Sequence, residues 1–424
     1  MINLAARLMI ERLGQRGEGI AQGPDGAIFV PYALAGETII AEVDGTRGRL
    51  VDIVTPSPQR TAPICPSFGI CGGCAVQTLA PAAYAAWKRG LLADALHHAK
   101  LSVDVDDLID AHGEGRRRAS FHARVDAAGR VKLGFMQARA HEVVDLAACP
   151  VLAPPMREAL AAARALAGAL AKAAKPLDFL VTATDTGLDV DIRGYGALEA
   201  ALMQQLIAVA ERHDFARLSN HGEILIARRT PLLRIGRAQV PPPPGVFLQA
   251  TAAGETALAA AVGAALAGSR RIADLFAGIG TFALRLAERA RVHAVDVEEA
   301  PLAALIKAAH VTPGLQQVTT ERRDLFRRPL DHKALADFDA AVFDPPRAGA
   351  EAQAKALAQS ALPLVVAVSC NVQTFARDAA LLCAGGYEIA RVTPLDQFRY
   401  SPHVEIVGLF RRPAAPARRR RLLG

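Results

Sequence analysis

Three groups of residues in this 424-residue chain have the types and spacing to do chemistry. The first is Cys370, set between Ser369 and Asn371 directly after the apolar run PLVVAV. The thiolate is the nucleophilic form of cysteine, so a cysteine poised to attack needs polar or cationic neighbours. Arg347, which closes Phe343-Asp344-Pro345-Pro346-Arg347, is the candidate neighbour. A thiol that adds covalently to a ring must later be expelled, and a general base is needed to remove a proton before that happens. Glu405, in His403-Val404-Glu405 just ahead of the apolar IVGLF, is the strongest choice. His403 is either an alternative base or a group that orients the site.

The second group is the glycine turn Asp274-Leu-Phe276-Ala-Gly278-Ile-Gly280-Thr281. Its glycines let the backbone turn tightly and approach a ligand. Gly278-x-Gly280-x-x-Ala283 also fits a dinucleotide fingerprint, and Asp296 at the end of the next apolar run suits the ribose of either cofactor. Asp274 ahead of the glycines suits an ammonium better than a pyrophosphate, and the Asp-Pro-Pro-Arg turn has no place in dehydrogenase logic. Together they point to S-adenosylmethionine.

The third group is Cys65-x5-Cys71-x2-Cys74 in a glycine-rich loop, with Cys149 before Pro150. Four cysteinates suit either an iron–sulfur cluster or structural zinc. Cys383 belongs to neither set and reads as core.

These groups need elements to hold them. From residue 246 onward, apolar runs (RIADLF, RVHAVDV, FDAAVFD, PLVVAVSC) alternate with helical stretches, the pattern of a parallel α/β sheet whose ligands gather at the strand ends. PPPPG at 241–245 is the clearest breaker and marks a boundary. Before it, residues 59–245 hold the cysteine loop, a helix from AAYAAWKRGLLADALHHA, an arginine cluster at 116–118, a hairpin through FHARVDAAGRVKLGFM, an alanine-rich helix over 156–173 and two strands. Residues 1–58 read as short strands with glycine turns, suggesting a small oligonucleotide-binding-type barrel. Arg12, Arg16, Arg47 and Arg49 are its candidate RNA-facing residues. The basic run 418–421 reads as a disordered tail.

Composition agrees with this organisation. Hydrophobic residues are 51% and charged residues 21%, enough apolar content to fold and against wholesale disorder. A net charge of +7 favours a polyanionic partner. No apolar run approaches the roughly 20 residues of a membrane span. Arg7 and Glu11 interrupt any secretory signal, six cysteines call for no disulfide scaffold, and a reducing cytoplasm fits best.

With these motifs in view, the chain resembles the RNA uracil-5-methyltransferases, specifically the iron–sulfur branch that modifies 23S ribosomal RNA. The likeness rests on the Cys65-Pro-x-Phe-Gly-x-Cys71-Gly-Gly-Cys74 loop, Asp344-Pro-Pro-Arg347, Ser369-Cys370-Asn371 and His403-Val404-Glu405. It implies a TRAM-like barrel over 1–58, a central α+β domain over 59–245 and a Rossmann-like class I methyltransferase domain over 246–424. It implies a 4Fe–4S cluster on Cys65, Cys71, Cys74 and Cys149, with zinc the lesser alternative. It further implies S-adenosylmethionine contacts at Gln249, Phe276, Thr281, Asp296, Asp324 and Asp344, with Cys370 as nucleophile and Glu405 as base. The expected product is 5-methyluridine in 23S rRNA, made by a monomer with no membrane partner. The same chemistry on tRNA, or a non-catalytic RNA-binding iron–sulfur protein, are the competing readings. The chain departs from the family pattern at Val372 for proline, Thr281 for asparagine, Asp296 for glutamate, and Phe398-Arg399-Tyr400-Ser401 before His-Val-Glu.

Overall fold

The computed structural model describes residues 4–126, 128–138, 140–171 and 175–413. The basic run at 418–421 and the end of the helix expected over 156–173 therefore lie outside the described residues, and the helix proper is Ala159–Ala169. Among the described residues, no helix is long and apolar enough to cross a membrane.

Three large sheets organise the chain. The first has six strands in the order Leu4–Met9, Thr38–Asp44, Arg47–Thr55, Gly26–Val30, Gly19–Gly23, Arg12–Leu13. Ile39 and Ala41 alternate with more exposed residues along one strand and meet Ile28 and Val30 in a small core, as the two-residue period of a strand requires. The second sheet runs Glu223–Ala227, Arg217–Asn220, Gly187–Arg193, Leu177–Thr184, Arg118–Val125, Val131–Gly134. Helices Ala159–Ala169 and Ala200–Arg212 share its core, where Phe121, Phe179, Leu166 and Leu206 are buried.

The third sheet positions the chemistry. Its eight strands lie in the order Val318–Arg322, Arg291–Asp296, Arg271–Leu275, Ala340–Phe343, Leu364–Ser369, Glu405–Arg411, Glu388–Asp396, Ile109–Asp110. The first five are mutually parallel. Val366 and Val368 pack on one face while Val365 and Ala367 pack on the other. A strand covered on both faces reads as an unbroken apolar run, which is why PLVVAV shows no alternation.

The purely parallel expectation is corrected at one side of this sheet. Glu405–Arg411 pairs antiparallel with Leu364–Ser369, register Ser369↔Ile406, and Glu388–Asp396 pairs antiparallel with Glu405–Arg411. Reversal sets the start of Glu405–Arg411 beside the end of Leu364–Ser369. The last strand, Ile109–Asp110, comes from far upstream and pairs with Leu395 and Asp396. Thr251 ties the same regions together: its hydroxyl donates to the Ala111 carbonyl at 2.6 Å and accepts from Gly254 N, capping helix Ala252–Ala265.

Candidate active site

A cavity of about 650 Å³ opens at the carboxyl ends of the parallel strands, a size within the usual range for small-ligand pockets. The turn at its edge is conformationally special. Phe276 has φ 63, which costs an ordinary side chain on the order of 1 kcal/mol. Gly278 and Gly280 have φ 53 and 91, and a Cβ at Gly280 would meet Leu305 Cγ at 2.8 Å. Asp296 locks this turn by accepting from Gly278 N at 2.9 Å, with its other oxygen on Glu298 N. Asp324 accepts from Phe326 N at 3.0 Å, and the Phe276 and Phe326 rings stand 5.4 Å apart. The two rings, tilted against each other, and the two carboxylates give the cavity an apolar wall next to hydroxyl acceptors, a lining suited to a nucleoside.

Gln249, Phe276, Asp296, Asp324 and Asp344 all line this cavity. Thr281 does not; its carbonyl instead accepts from Arg285 Nη1 at 2.8 Å. Asp274 lies outside the lining as well; it is fully buried, and burial pushes it well above the usual carboxylate range against a hydrogen bond from the Ala283 backbone. Phe326 and Arg118, which also line the cavity, carried no sequence signal as ligand contacts.

Cys370 and Glu405 line the same cavity. Cys370 is half-buried, one residue before Asn371, whose side chain caps helix Val372–Ala384 through Gln373 N at 3.0 Å. The helix start favours a thiolate there. Burial, Glu405 and Asp344 outweigh that influence and push the thiol up to about 12; Arg347 pulls it down, but by less. Arg347 is thus the neighbour expected from the sequence, though it does not prevail. Its guanidinium lies 2.7 Å from Nδ1 of His403, and burial with that charge lowers His403 to about 4. An imidazole lowered this far is a weak base.

Glu405 is buried, and burial, then Asp344, raises it to about 8; burial raises Asp344 to about 7. Glu405 Oε1 accepts from Gln397 Nε2 at 2.9 Å, whereas Oε2 has no partner. Gln397 Nε2 also donates to Gln249 Oε1 at 2.6 Å, and Gln249 Nε2 donates to Asp344 Oδ2 at 3.0 Å. The loop before Glu405 is pinned by Lys88 Nζ, which donates to Asp396 Oδ1 at 2.5 Å and to the carbonyls of Phe398 and His403.

The arginine cluster divides by role. Arg117 is tied to Glu255, which also holds Arg285. Arg116 and Arg118 form no salt bridge among the described residues and lie against the rings of Phe398 and Phe247. Phe247 is exposed. Since arginine stays charged even when partly desolvated, such residues are fitted to meet an external anion.

Cys65, Cys71, Cys74 and Cys149 line a second cavity of about 300 Å³ together with Phe68, Phe135 and Arg116. Gly73 N donates to Cys71 Sγ at 3.5 Å. Among the described residues, no group of three or more His, Cys, Asp or Glu draws close enough to hold a single metal ion. The four sulfurs share one cavity, with Arg116 the charged side chain beside them.

A glycine turn, acidic strand ends and paired aromatic rings on an α/β sheet, with a thiol at its rim, fit an S-adenosylmethionine-dependent methyltransferase. Residues 244–412 match the tRNA (Uracil-5-)-methyltransferase family. An RNA methyltransferase of Brucella suis is 46% identical over 95% of this chain and 97% of its own. The 23S rRNA (uracil(1939)-C(5))-methyltransferase of Halomonas elongata is 33% identical, covering 97% of this chain and 90% of its own. In fold, the chain is similar to the Pyrococcus abyssi tRNA (uracil-54, C5)-methyltransferase bound to S-adenosyl-L-homocysteine, with TM-score 0.73, 24% identity, and 95% and 99% of the two chains covered. The chain belongs to the RNA (uracil-5-)-methyltransferases.

Proposed function

We propose that this enzyme forms 5-methyluridine in 23S rRNA through a covalent bond between Cys370 and carbon 6 of the target uridine. S-adenosylmethionine supplies, when bound, an electrophilic methyl group and a positive charge. Burial, then Glu405 and Asp344, holds the Cys370 thiol protonated, so a nearby positive charge would favour its thiolate. The Cys370 thiol loses its proton to water and adds as the thiolate to carbon 6, and the displaced electron pair passes to carbon 5 and the carbonyl oxygen. Carbon 5 would then take the methyl group, the donor's methyl–sulfur bond breaking with its electron pair left on the departing sulfur. Glu405 Oε2 then removes the carbon 5 proton; that electron pair restores the 5,6 double bond and expels the sulfur. What carries this reading is the antiparallel register that brings Cys370 and Glu405 to the rim of one cavity.

In this reading Gln249, Phe276, Asp296, Asp324 and Asp344 contact the donor, and Thr281 supports them from behind the turn. Arg116, Arg118 and Phe247 guide the RNA strand, whose target base is unstacked to expose carbon 6. Residues 1–58 act as a TRAM-like barrel, 59–245 as the cysteine-bearing domain and 246–424 as the methyltransferase domain. Cys65, Cys71, Cys74 and Cys149 hold a 4Fe–4S cluster, a reading supported by the resemblance of their loop and by their lining one cavity. The Halomonas relative and the cysteine loop favour ribosomal over transfer RNA, and hence work in the cytoplasm. Mapping 5-methyluridine in total RNA from cells lacking the gene tests the substrate. Loss from 23S rRNA is expected; loss from tRNA alone overturns it.

A further inference from the structure

Gln397 is 1% exposed and follows the strand Glu388–Asp396. A side-chain amide nitrogen has two hydrogens, and here both go into the site. One goes to Glu405 Oε1 and the other to Gln249 Oε1. The orientations are mutually determined. With Asp344 ionised, its Oδ2 is an acceptor and Gln249 presents its nitrogen, which turns Gln249 Oε1 towards Gln397. Gln397 must then present its own nitrogen, and its oxygen is left 3.4 Å from Thr251 N. The helix Ala252–Ala265 comes close enough for this only because residue 254 is glycine. A Cβ there would stand 2.6 Å from Gln397 Oε1.

We infer that Gln397 is a positioning residue, holding Glu405 by one oxygen and Gln249 in one orientation so that a single amide sets the base against the donor pocket. The inference rests on reading Glu405 as the base. Because Oε1 is occupied, Oε2 is the oxygen left for the carbon 5 proton. The donated hydrogen bond also favours the carboxylate over the acid, opposing burial.

The test uses the full chain and an RNA transcript, following formation and decay of the covalent protein–RNA adduct on denaturing gels across pH. Gln397→Met keeps the volume and removes both donors. It is expected to need more S-adenosylmethionine for adduct formation, because Gln249 is released, and at saturating donor to form the adduct at the parent rate and resolve it about 10-fold more slowly, with the rising limb of the decay-against-pH curve moved up by about 1 unit. Gln397→Asn, too short to reach both acceptors, is expected to show the same signature and covers the case in which the methionine variant does not fold. Glu405→Gln separates the two levels of the argument. If it stalls the adduct while both Gln397 variants resolve it at the parent rate on an unshifted limb, the role of Gln397 is overturned and the base stands. If Glu405→Gln resolves the adduct normally, the base reading fails and the inference goes with it. Lower melting temperature with an unmoved pH limb identifies a merely structural glutamine and also overturns it.

Discussion

Replacing Lys88 with methionine tests how the loop before Glu405 is held. Lys88 is 0% exposed and Asp396 2%. Burial lowers the lysine to about 8 despite Asp396, so at pH 7 it is still an ammonium. Methionine fills nearly the same space, so the cavity contribution is small. What is lost is the charge partner: Asp396 keeps Tyr84 Oη at 2.6 Å and Phe398 N at 3.0 Å but no cation, and the carbonyls of Phe398 and His403 lose their donor. Stranding one member of a buried pair costs about 3–5 kcal/mol. At about 2–4 °C per kcal/mol for a unit of this size, melting falls by roughly 6–20 °C. Thermal melts of Lys88→Met, Asp396→Asn and the double variant check the cause. The double variant should melt above Lys88→Met, because no unpaired carboxylate remains. A Lys88→Met melt within about 2 °C of the parent, or a double variant no better than the single, would refute the argument.

Cys370→Ala should abolish methylation while RNA affinity changes little, since one thiol contributes little to a large polar interface; methylation at the parent rate removes the thiol mechanism. Asp344 and Glu405 hold their protons towards about 7 and 8, and a sulfonium favours their ionised forms. S-adenosylmethionine should therefore bind more tightly as pH rises through that range, while uncharged-sulfur S-adenosylhomocysteine gains less; equal slopes by calorimetry would count against this. The same groups act on folding. An acid raised in the folded state from 4.5 to about 8 favours the native chain below the lower value, and that contribution is lost as pH rises to the upper one. Glu405→Gln should thus gain melting temperature relative to the parent from pH 5 to 8, and a constant difference would contradict the raised carboxyl. Protein purified without oxygen should be brown and contain iron, whereas colourless protein with stoichiometric zinc overturns the cluster.

Much of this was legible in the residues because the signals are local. A strand buried on both faces leaves an apolar run, and a glycine turn at its end is written in adjacent positions. Hence Phe276, Asp296, Asp344 and Cys370 could be placed at strand ends before any coordinates. What escaped depends on pairing between distant segments. Ile109–Asp110 is a two-residue strand with no periodicity, and only its partner across nearly 300 positions of chain makes it one. Lys88 sits in a helix whose sequence gives no hint of a buried ammonium, because its three acceptors come from 396–403. Gln397 looks like any polar loop residue until Gln249 and Glu405 are seen on either side. Thr281, chosen by motif position, does not line the cavity, and its carbonyl is taken up by Arg285.

The antiparallel side of the main sheet explains why the proposed nucleophile Cys370 and the proposed base Glu405 can be 35 positions apart (405 − 370) and still share a cavity. In a parallel sheet every strand ends at the same rim, so a residue beginning a strand lies at the far side from the ligand. Glu405 begins its strand and would be misplaced in that arrangement. Reversal of Glu405–Arg411 against Leu364–Ser369 turns its first residue to the ligand rim, and pairing with Glu388–Asp396 brings Gln397 to the same place from the opposite direction. The loop 397–404 then joins two strand ends at the site, and Lys88 gathers its carbonyls from below. The departures from the family pattern at 398–401 fall in this loop, where Phe398 faces Arg116 and Tyr400 takes φ 65. Its carbonyl at Tyr400 also accepts from Ala75 and Val76, immediately after Cys74. The residues that hold the base are therefore continuous, through backbone hydrogen bonds, with the loop that carries three of the four cysteines.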